Sequence, residues 1–416
     1  MNTAEINALG AAICARADEL AGITERPGQL TRRSFTPEQR LANERIMSWM
    51  RSAGMSVRVD AIGNVLGRYE GTQPGQPALM LGSHLDTVEN AGRYDGILGV
   101  ITAINCVARF HKAKRRFPFA LEVIGFCDEE GLRFGTTMLG SRAVAGTFDP
   151  ASLGRTDQQG FSLEQALAEV DLDSRGIAAA KRRRDEILAY VELHIEQGPV
   201  LENAEIPIGC VTSIAGATRL EVDVMGEAGH AGTVPMNLRR DALAAAAECV
   251  LAIEDHCRQK QDVVGTVGCI SAAPGAINVI PGAVRFTIDL RSGDDAQRRS
   301  SLENLTTKLS EIGRRRNVAI ASRVIHSLDS TPCADWLIDG IDRAITQAGV
   351  KPLRLASGAG HDAMAMHPLT DVGMIFVRCE KGISHSPAEA ISPYDAGMGA
   401  WVMSNFIENF APRGQH

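Results

Sequence analysis

Five of the chain's ten histidines sit in short strings shared with carboxylates or glycines, most of them where an apolar run gives way to a loop. His84-Leu85-Asp86 is the first, followed by Asp95 in R-Y-D-G-I-L-G. Asp128-Glu129-Glu130-Gly131 is the second, and His194-Ile195-Glu196-Gln197-Gly198 the third. Gly229-His230-Ala231-Gly232, Gly358-Ala359-Gly360-His361-Asp362 and Gly382-Ile383-Ser384-His385-Ser386-Pro387 complete the set. Imidazole nitrogen and carboxylate oxygen are the natural ligands of zinc-class cations, and a nearby carboxylate such as Asp86 can fix a liganding ring by accepting its other N–H. Two adjacent acids in a turn can flank one point, so that one binds a cation while the other moves protons, the apparatus of hydrolysis. Taken singly, Asp95 also suits a helix cap and D-E-E a solvated turn. The joint occurrence at Gly-rich loop starts favours a site.

Other chemistries lack their local signatures. There is no G-x-S-x-G elbow, no G-x-x-x-x-G-K-[ST] loop, and no G-x-G-x-x-G opening a helix after a strand.

The elements that must position these residues show a β/α rhythm. Residues 1–54 carry apolar positions at helical spacing. Ala78–Leu81, Phe119–Cys127, Tyr190–Leu193 and Val372–Val377 read as strands, and Gly99–Phe110 as a helix. Ser162 and Gln165 form a possible capping box in the polar stretch after Gly160. In an open α/β sheet the loops after parallel strands meet at one edge, which can gather distant residues. From about Ile214 the texture changes. Leu220–Met225 alternates, Asp241–His256 is Ala-rich and helical, Val263–Ile270 and Val284–Leu290 read as strands, and Ser301–Arg314 as a helix. Such alternation predicts a sheet covered on one face. The expectation is an α/β protein: a catalytic domain (1–213 and 331–416) with a mixed open sheet and helices on both faces, and an inserted α+β domain (214–330).

The 416 residues suffice for two domains. With 43 Lys+Arg against 50 Asp+Glu the net charge is −7, without a basic stripe, which argues against nucleic acid or an anionic membrane as partner. The nine cysteines form no C-x-x-C, no signal peptide is visible and no run is long enough to span a bilayer, so a cytoplasmic protein is expected.

The strings G-S-H-L-D-T-V, G-R-Y-D-G-I-L-G-V, D-E-E-G-L-R-F-G, E-L-H-I-E-Q-G-P-V-L-E, G-x-A-G-H-A-G-T-V-P-M, I-N-V-I-P-G, D-L-R-S, S-G-A-G-H-D-A-M and K-G-I-S-H-S-P-A-E occur in this order over nearly the whole chain. In these the chain resembles the M20-type metal-dependent amidohydrolases, in the hydantoinase/carbamoylase branch. The resemblance implies two divalent metal ions per subunit (Zn, Mn, Co or Ni), with His84 and His194 on one, Glu130 and His385 on the other, and Asp95 bridging. It makes Glu129 the general base and Asp86 the orienter of His84. It assigns substrate contacts to Gln197, His230, Asn278, Arg291, Gly360 and His361, with His230 also stabilising oxyanion charge. It implies a homodimer formed through the inserted domain, which also acts as a lid. The activity it implies is cleavage of the carbamoyl C–N bond of N-carbamoyl-L-amino acids. Allantoate amidohydrolase is the alternative, and a ligand-binding protein that has lost turnover is the reading outside enzymes.

Overall fold

The computed structural model describes residues 1–413. The chain divides into two compact units. One comprises Met1–Thr212, Cys333–Leu355 and the chain from Gly360 on; the other comprises Ser213–Pro332 and Ala356–Ala359. The second unit therefore takes in a short segment, Ala356–Ala359, that lies outside the expected 214–330.

The first unit is built on a mixed sheet. Its strands run in the spatial order Ser56–Val59, Val65–Tyr69, Ala120–Phe126, Ala78–His84, Ile187–Ile195, Val372–Val377, Ile208–Ile214. The central four are mutually parallel; Val65–Tyr69 and Ile208–Ile214, on either side, are antiparallel to them, and Ser56–Val59 is antiparallel to Val65–Tyr69. Ala78–His84, Ala120–Phe126 and Val372–Val377 are buried at every position. That is why these strands read as continuous apolar runs, since side chains on both faces need apolar cover. Thr3–Ala21, Ile97–Lys112 and Pro393–Glu408 pack on one another, and the last two also pack on the sheet. The parallel strands all finish at one edge, where His84, the 127–130 turn, His194 and the loop to His385 follow.

The second unit is an antiparallel sheet ordered Ile270–Ala273, Ala283–Ser292, Gly216–Met225, Ala319–Leu328, with Val263–Thr266 also on Ala283–Ser292. Gly216–Met225 and Ala283–Ser292 alternate buried and less buried positions. Helices Ala242–Arg258 and Asp295–Arg316 pack on this sheet. Val222, Ile253, Phe286 and Leu309 lie in the core between them.

Three elements differ from the sequence reading. The strand expected over Tyr190–Leu193 extends to Ile187–Ile195, because Ile187 and Ala189 pair with Ala78 and Leu79 and His194 and Ile195 pair with Phe376 and Val377. The strand expected over Val263–Ile270 is two strands, which pair with opposite ends of Ala283–Ser292. The chain breaks step between them around Gly268, where Cys269 takes up hydrogen bonds with Thr287. The helix expected from Ser301 starts earlier, at Asp295, because Asp294 accepts hydrogen bonds from the Ala296 and Gln297 N–H groups. The capping box at Ser162 and Gln165 is formed and opens Leu163–Glu169. All nine cysteines are free thiols, most of them buried as small hydrophobes. Among the described residues no helix is long and apolar enough to cross a membrane.

Candidate metal centre and active site

Asp95 lies at the centre of the first unit's sheet edge. Its Oδ1 is 3.0 Å from His194 Nε2 and 3.5 Å from His84 Nε2. Its Oδ2 is 3.1 Å from His385 Nε2, which is itself 3.4 Å from Glu130 Oε1. In each of the groups His84/Asp95/His194 and Asp95/Glu130/His385 the ligand atoms lie within 4.8 Å of one another. Five residues from four separate stretches of chain thus converge as the strings suggested.

The local backbone dictates what the rings present. His84 closes its strand, and its Nδ1 donates to the Asp86 carbonyl at 3.0 Å. His194 Nδ1 donates to the Ile195 carbonyl at 2.9 Å. A carbonyl can only accept, so Nδ1 carries a proton in both rings, and Nε2 offers a lone pair whenever the ring is neutral. Both Nε2 atoms face Asp95 Oδ1, and that of His194 also accepts from the Gly96 N–H at 3.2 Å. Acceptors opposed at such distances repel unless a cation or a second proton stands between them, and this donor set of imidazoles and carboxylates fits a divalent cation. Burial works against charge on Asp95, but its contacts with His194, His385 and His84 hold it well below the usual carboxylate range. Burial opposes charge on His84 and His194 too, while Asp95 raises both. The Asp95 side chain is free for this work because Gly96, not Asp95, is the N-cap of Ile97–Lys112. Gly96 has φ +68°, and a Cβ there would fall 2.4 Å from the His84 ring. Only glycine fits this turn.

Asp86 works differently from expectation. Its main-chain carbonyl, rather than its carboxylate, holds the His84 ring, and its Oδ1 stays 3.9 Å from Nδ1. The carboxylate instead accepts from the Glu129 N–H at 3.2 Å and the Glu130 N–H at 3.3 Å. It therefore shapes the acidic turn, because the strand end aims its side chain at that loop. Asp128 enters the turn with φ +54°. Gln197 and His385 have φ +57° and +54°, so left-handed backbone recurs around the cluster, a conformation that costs a non-glycine residue roughly 1–3 kcal/mol.

Glu129 is buried. Burial pushes its carboxyl well above the ordinary range, His84 opposes this, and Glu130 adds to it. A carboxylate made basic in this way suits proton abstraction. Burial is also the main cause that pushes Glu130 up to about 7. Asp95 is the main cause that raises His385 to about 9.

Gln197, expected on substrate, donates its amide to Asp95 Oδ2 and to Ser384 Oγ, both at 3.1 Å. His361 is buried with its ring centroid 4.5 Å from that of His194, and burial and His194 hold it well below its ordinary pKa, hence neutral. Gly360 precedes it on the exposed side. His230, Asn278 and Arg291 belong to the second unit. His230 and Asn278 are exposed neighbours: His230 pairs with Val279, and the Ala231 N–H donates to the Asn278 carbonyl. Arg291 lays its fork on Asp289, with both contacts at 2.9 Å, and gives Nη1 to the Gly358 carbonyl at 2.8 Å.

Several supporting groups escaped the sequence reading. Arg32 is fully buried and donates to the Leu85 carbonyl between the two cluster residues His84 and Asp86. Burial lowers it to about 10, with Asp86 acting in the opposite direction. Glu192 accepts from Ser83 Oγ and the Ala363 N–H. Ser384 and Glu389 lie behind Asp95. The last pair stands in the string G-I-S-H-S-P-A-E, where an acid four residues after a ligand histidine was the available signal.

The model of peptidase family M20/M25/M40 matches residues 80–409. The chain belongs to the M20 family. N-carbamoyl-L-amino acid amidohydrolase of Geobacillus stearothermophilus is 41% identical over 394 residues, 94% of this chain and 96% of that protein. Allantoate deiminase of Arabidopsis thaliana is 40% identical, covering 95% of this chain and 81% of that protein. Among solved structures, an amidase of the hydantoinase/carbamoylase family from Burkholderia multivorans superposes with a TM-score of 0.89 at 30% identity, over 96% of this chain and 97% of its own. This M20 chain is a hydrolase of amide or ureido C–N bonds, with a catalytic domain and an inserted domain.

Proposed function

We propose that the protein hydrolyses the carbamoyl C–N bond of N-carbamoyl-L-amino acids, releasing the amino acid, CO2 and ammonia. It works in the cytoplasm, as a homodimer joined through the inserted unit, which also acts as a lid. The observation that carries the hydrolytic reading is the gathering of three imidazole Nε2 atoms around the two oxygens of Asp95, with Glu130 beside the third. His84 and His194 would hold one divalent cation, Glu130 and His385 a second, and Asp95 both. Such ions, when bound, lower the pKa of water and polarise a carbonyl.

The chain's own residues do the rest. Glu129 takes a proton from the attacking water and returns it to the leaving nitrogen. His230 donates to the oxygen on which charge develops, an interaction that strengthens in the transition state. Arg291, freed from Asp289, can take a substrate carboxylate with its fork, and Asn278 can donate to the same group. Gln197, Gly360 and His361 line the remaining substrate surface.

Allantoate is the second reading, favoured by relatives named allantoate deiminase at comparable identity. It too presents a carboxylate and a ureido group. Ammonia release from the metal-reconstituted protein, measured on allantoate and on a panel of N-carbamoyl-L-amino acids, decides between them. A larger kcat/KM on a carbamoyl amino acid supports the proposal. A larger value on allantoate transfers the assignment to it, and no release from either overturns both.

A further inference from the structure

Behind the Asp95 carboxylate lies a second buried carboxyl group that no step above uses. Glu389 is only 3% exposed. Its Oε1 accepts from the Tyr94 N–H at 2.7 Å and from the Asp95 N–H at 3.2 Å. Its Oε2 meets the Ser384 hydroxyl at 3.1 Å, and the same hydroxyl lies 2.9 Å from Asp95 Oδ2. Gln197 Nε2 donates to both Ser384 Oγ and Asp95 Oδ2. The loop before Asp95 wraps tightly around this acid, since a Cβ on Gly92 would fall 2.1 Å from the Glu389 side chain.

Two features of this arrangement need a cause. Among the described residues no Lys or Arg forms an ion pair with Glu389, and Arg93 is the only such cation whose charge is felt there, so the carboxyl's direct partners are two amides and a hydroxyl. Burying a carboxylate beside another carboxylate is costly unless positive charge is close. In addition, Glu389 grips the main chain of Asp95, while the Asp95 side chain is held by Gln197 and by Ser384, whose single proton goes to either Asp95 or Glu389, so Asp95 is held at both ends.

We infer that Glu389 and Ser384 are positioning residues that fix Asp95 in the orientation where its two oxygens face the two histidine groups, and so set the protein's affinity for divalent cations. The inference rests on the metal-site reading above. Glu389 sends its constraint through the Tyr94–Asp95 backbone. Ser384, adjacent to His385, ties the loop that carries that ligand to the same carboxylate. Residues that orient a ligand commonly change metal affinity by 10–100-fold when lost.

The test is Mn2+ binding to the metal-stripped full-length protein, followed by the EPR signal of free Mn2+, with the melting temperature of the stripped protein measured alongside. Glu389→Ala is expected to bind Mn2+ about 10–100-fold more weakly than wild type. Glu389→Gln, whose amide oxygen still accepts from the two N–H groups, is expected to recover most of the loss. Ser384→Ala removes the hydroxyl that meets Asp95, Glu389 and Gln197 but leaves Glu389 on the Asp95 main chain; it is expected to fold and should weaken binding by a smaller factor. Wild-type Mn2+ affinity in Ser384→Ala together with Glu389→Ala, or in Ser384→Ala alone if Glu389→Ala does not fold, overturns the inference. So does weakening that tracks the melting temperature of the stripped protein and is not recovered by Glu389→Gln. If the wild type itself binds no Mn2+, the metal-site reading fails and the inference falls with it, a result distinct from failure in the variants alone.

Discussion

Glu129→Gln separates chemistry from metal binding at this site. Glutamine keeps the size of the side chain and removes its capacity to take a proton. The turn should survive the change, because its main chain is held independently: the Glu129 N–H donates to Asp86 Oδ1 at 3.2 Å and the Glu129 carbonyl accepts from Met138 at 3.1 Å. A positioned general base contributes roughly 10²–10⁴-fold to rate, equivalent to about 3–5 kcal/mol of barrier. The expected kcat is therefore lower by two to four powers of ten. KM should change little, because the substrate's carboxylate is assigned to other residues. The assay is ammonia release at saturating substrate, with metal content measured on the same preparation. The geometry contains a rival, since His84, Glu129 and Glu130 also bring ligand atoms within 4.8 Å of one another. If Glu129 were a ligand, the variant would lose metal together with rate. Near-normal turnover, or a loss of bound metal, refutes its role as base.

Gly96→Ala should be disproportionately damaging for a single methyl group. Its Cβ would meet the His84 ring at 2.4 Å on a backbone with φ +68°, so the ring must turn away; metal content should fall, and unchanged metal content would show that the turn can adjust. His256 in the second unit is buried, and burial, with Lys308 and Lys260 nearby, lowers its pKa below 6.5 in the folded state. The folded protein thus prefers the neutral ring, so the stability this group confers is present above pH about 6.5 and is lost as pH falls below that toward the folded value. His256→Gln should accordingly show a shallower fall in Tm between pH 7.5 and 5.5 than the wild type, and equal slopes would refute the assignment.

Where burial on two faces forces continuous apolar runs, the strands could be read from sequence: Val372–Val377 and the strand inside Phe119–Cys127 lie where the pattern puts them. The strand carrying His194 is longer than the sequence pattern indicates, because Ile187–Ala189 close a polar stretch and His194 looks polar until it meets Asp95 from a distant part of the chain. Histidine and carboxylate clusters at strand ends pointed to the centre. Pairing of the ligands rested on resemblance, since sequence spacing does not tell which oxygen of Asp95 faces which ring. Arg32, Ser384 and Glu389 were missed for the same physical reason. Each acts by hydrogen bonds across a long sequence separation, to the Leu85 carbonyl or to the Asp95 loop, and one-dimensional periodicity carries no trace of such bonds. The role of Asp86 changed because backbone and side chain of one residue serve two neighbours.

An anomalous difference map from crystals of the protein soaked in Mn2+ tests the central claim most directly. Two peaks are expected at the first unit's sheet edge. One should be bounded by His84, Asp95 and His194, and the other by Asp95, Glu130 and His385. A map without density between these side chains, or with a single ion seated on Glu129 and away from Asp95, would contradict the account.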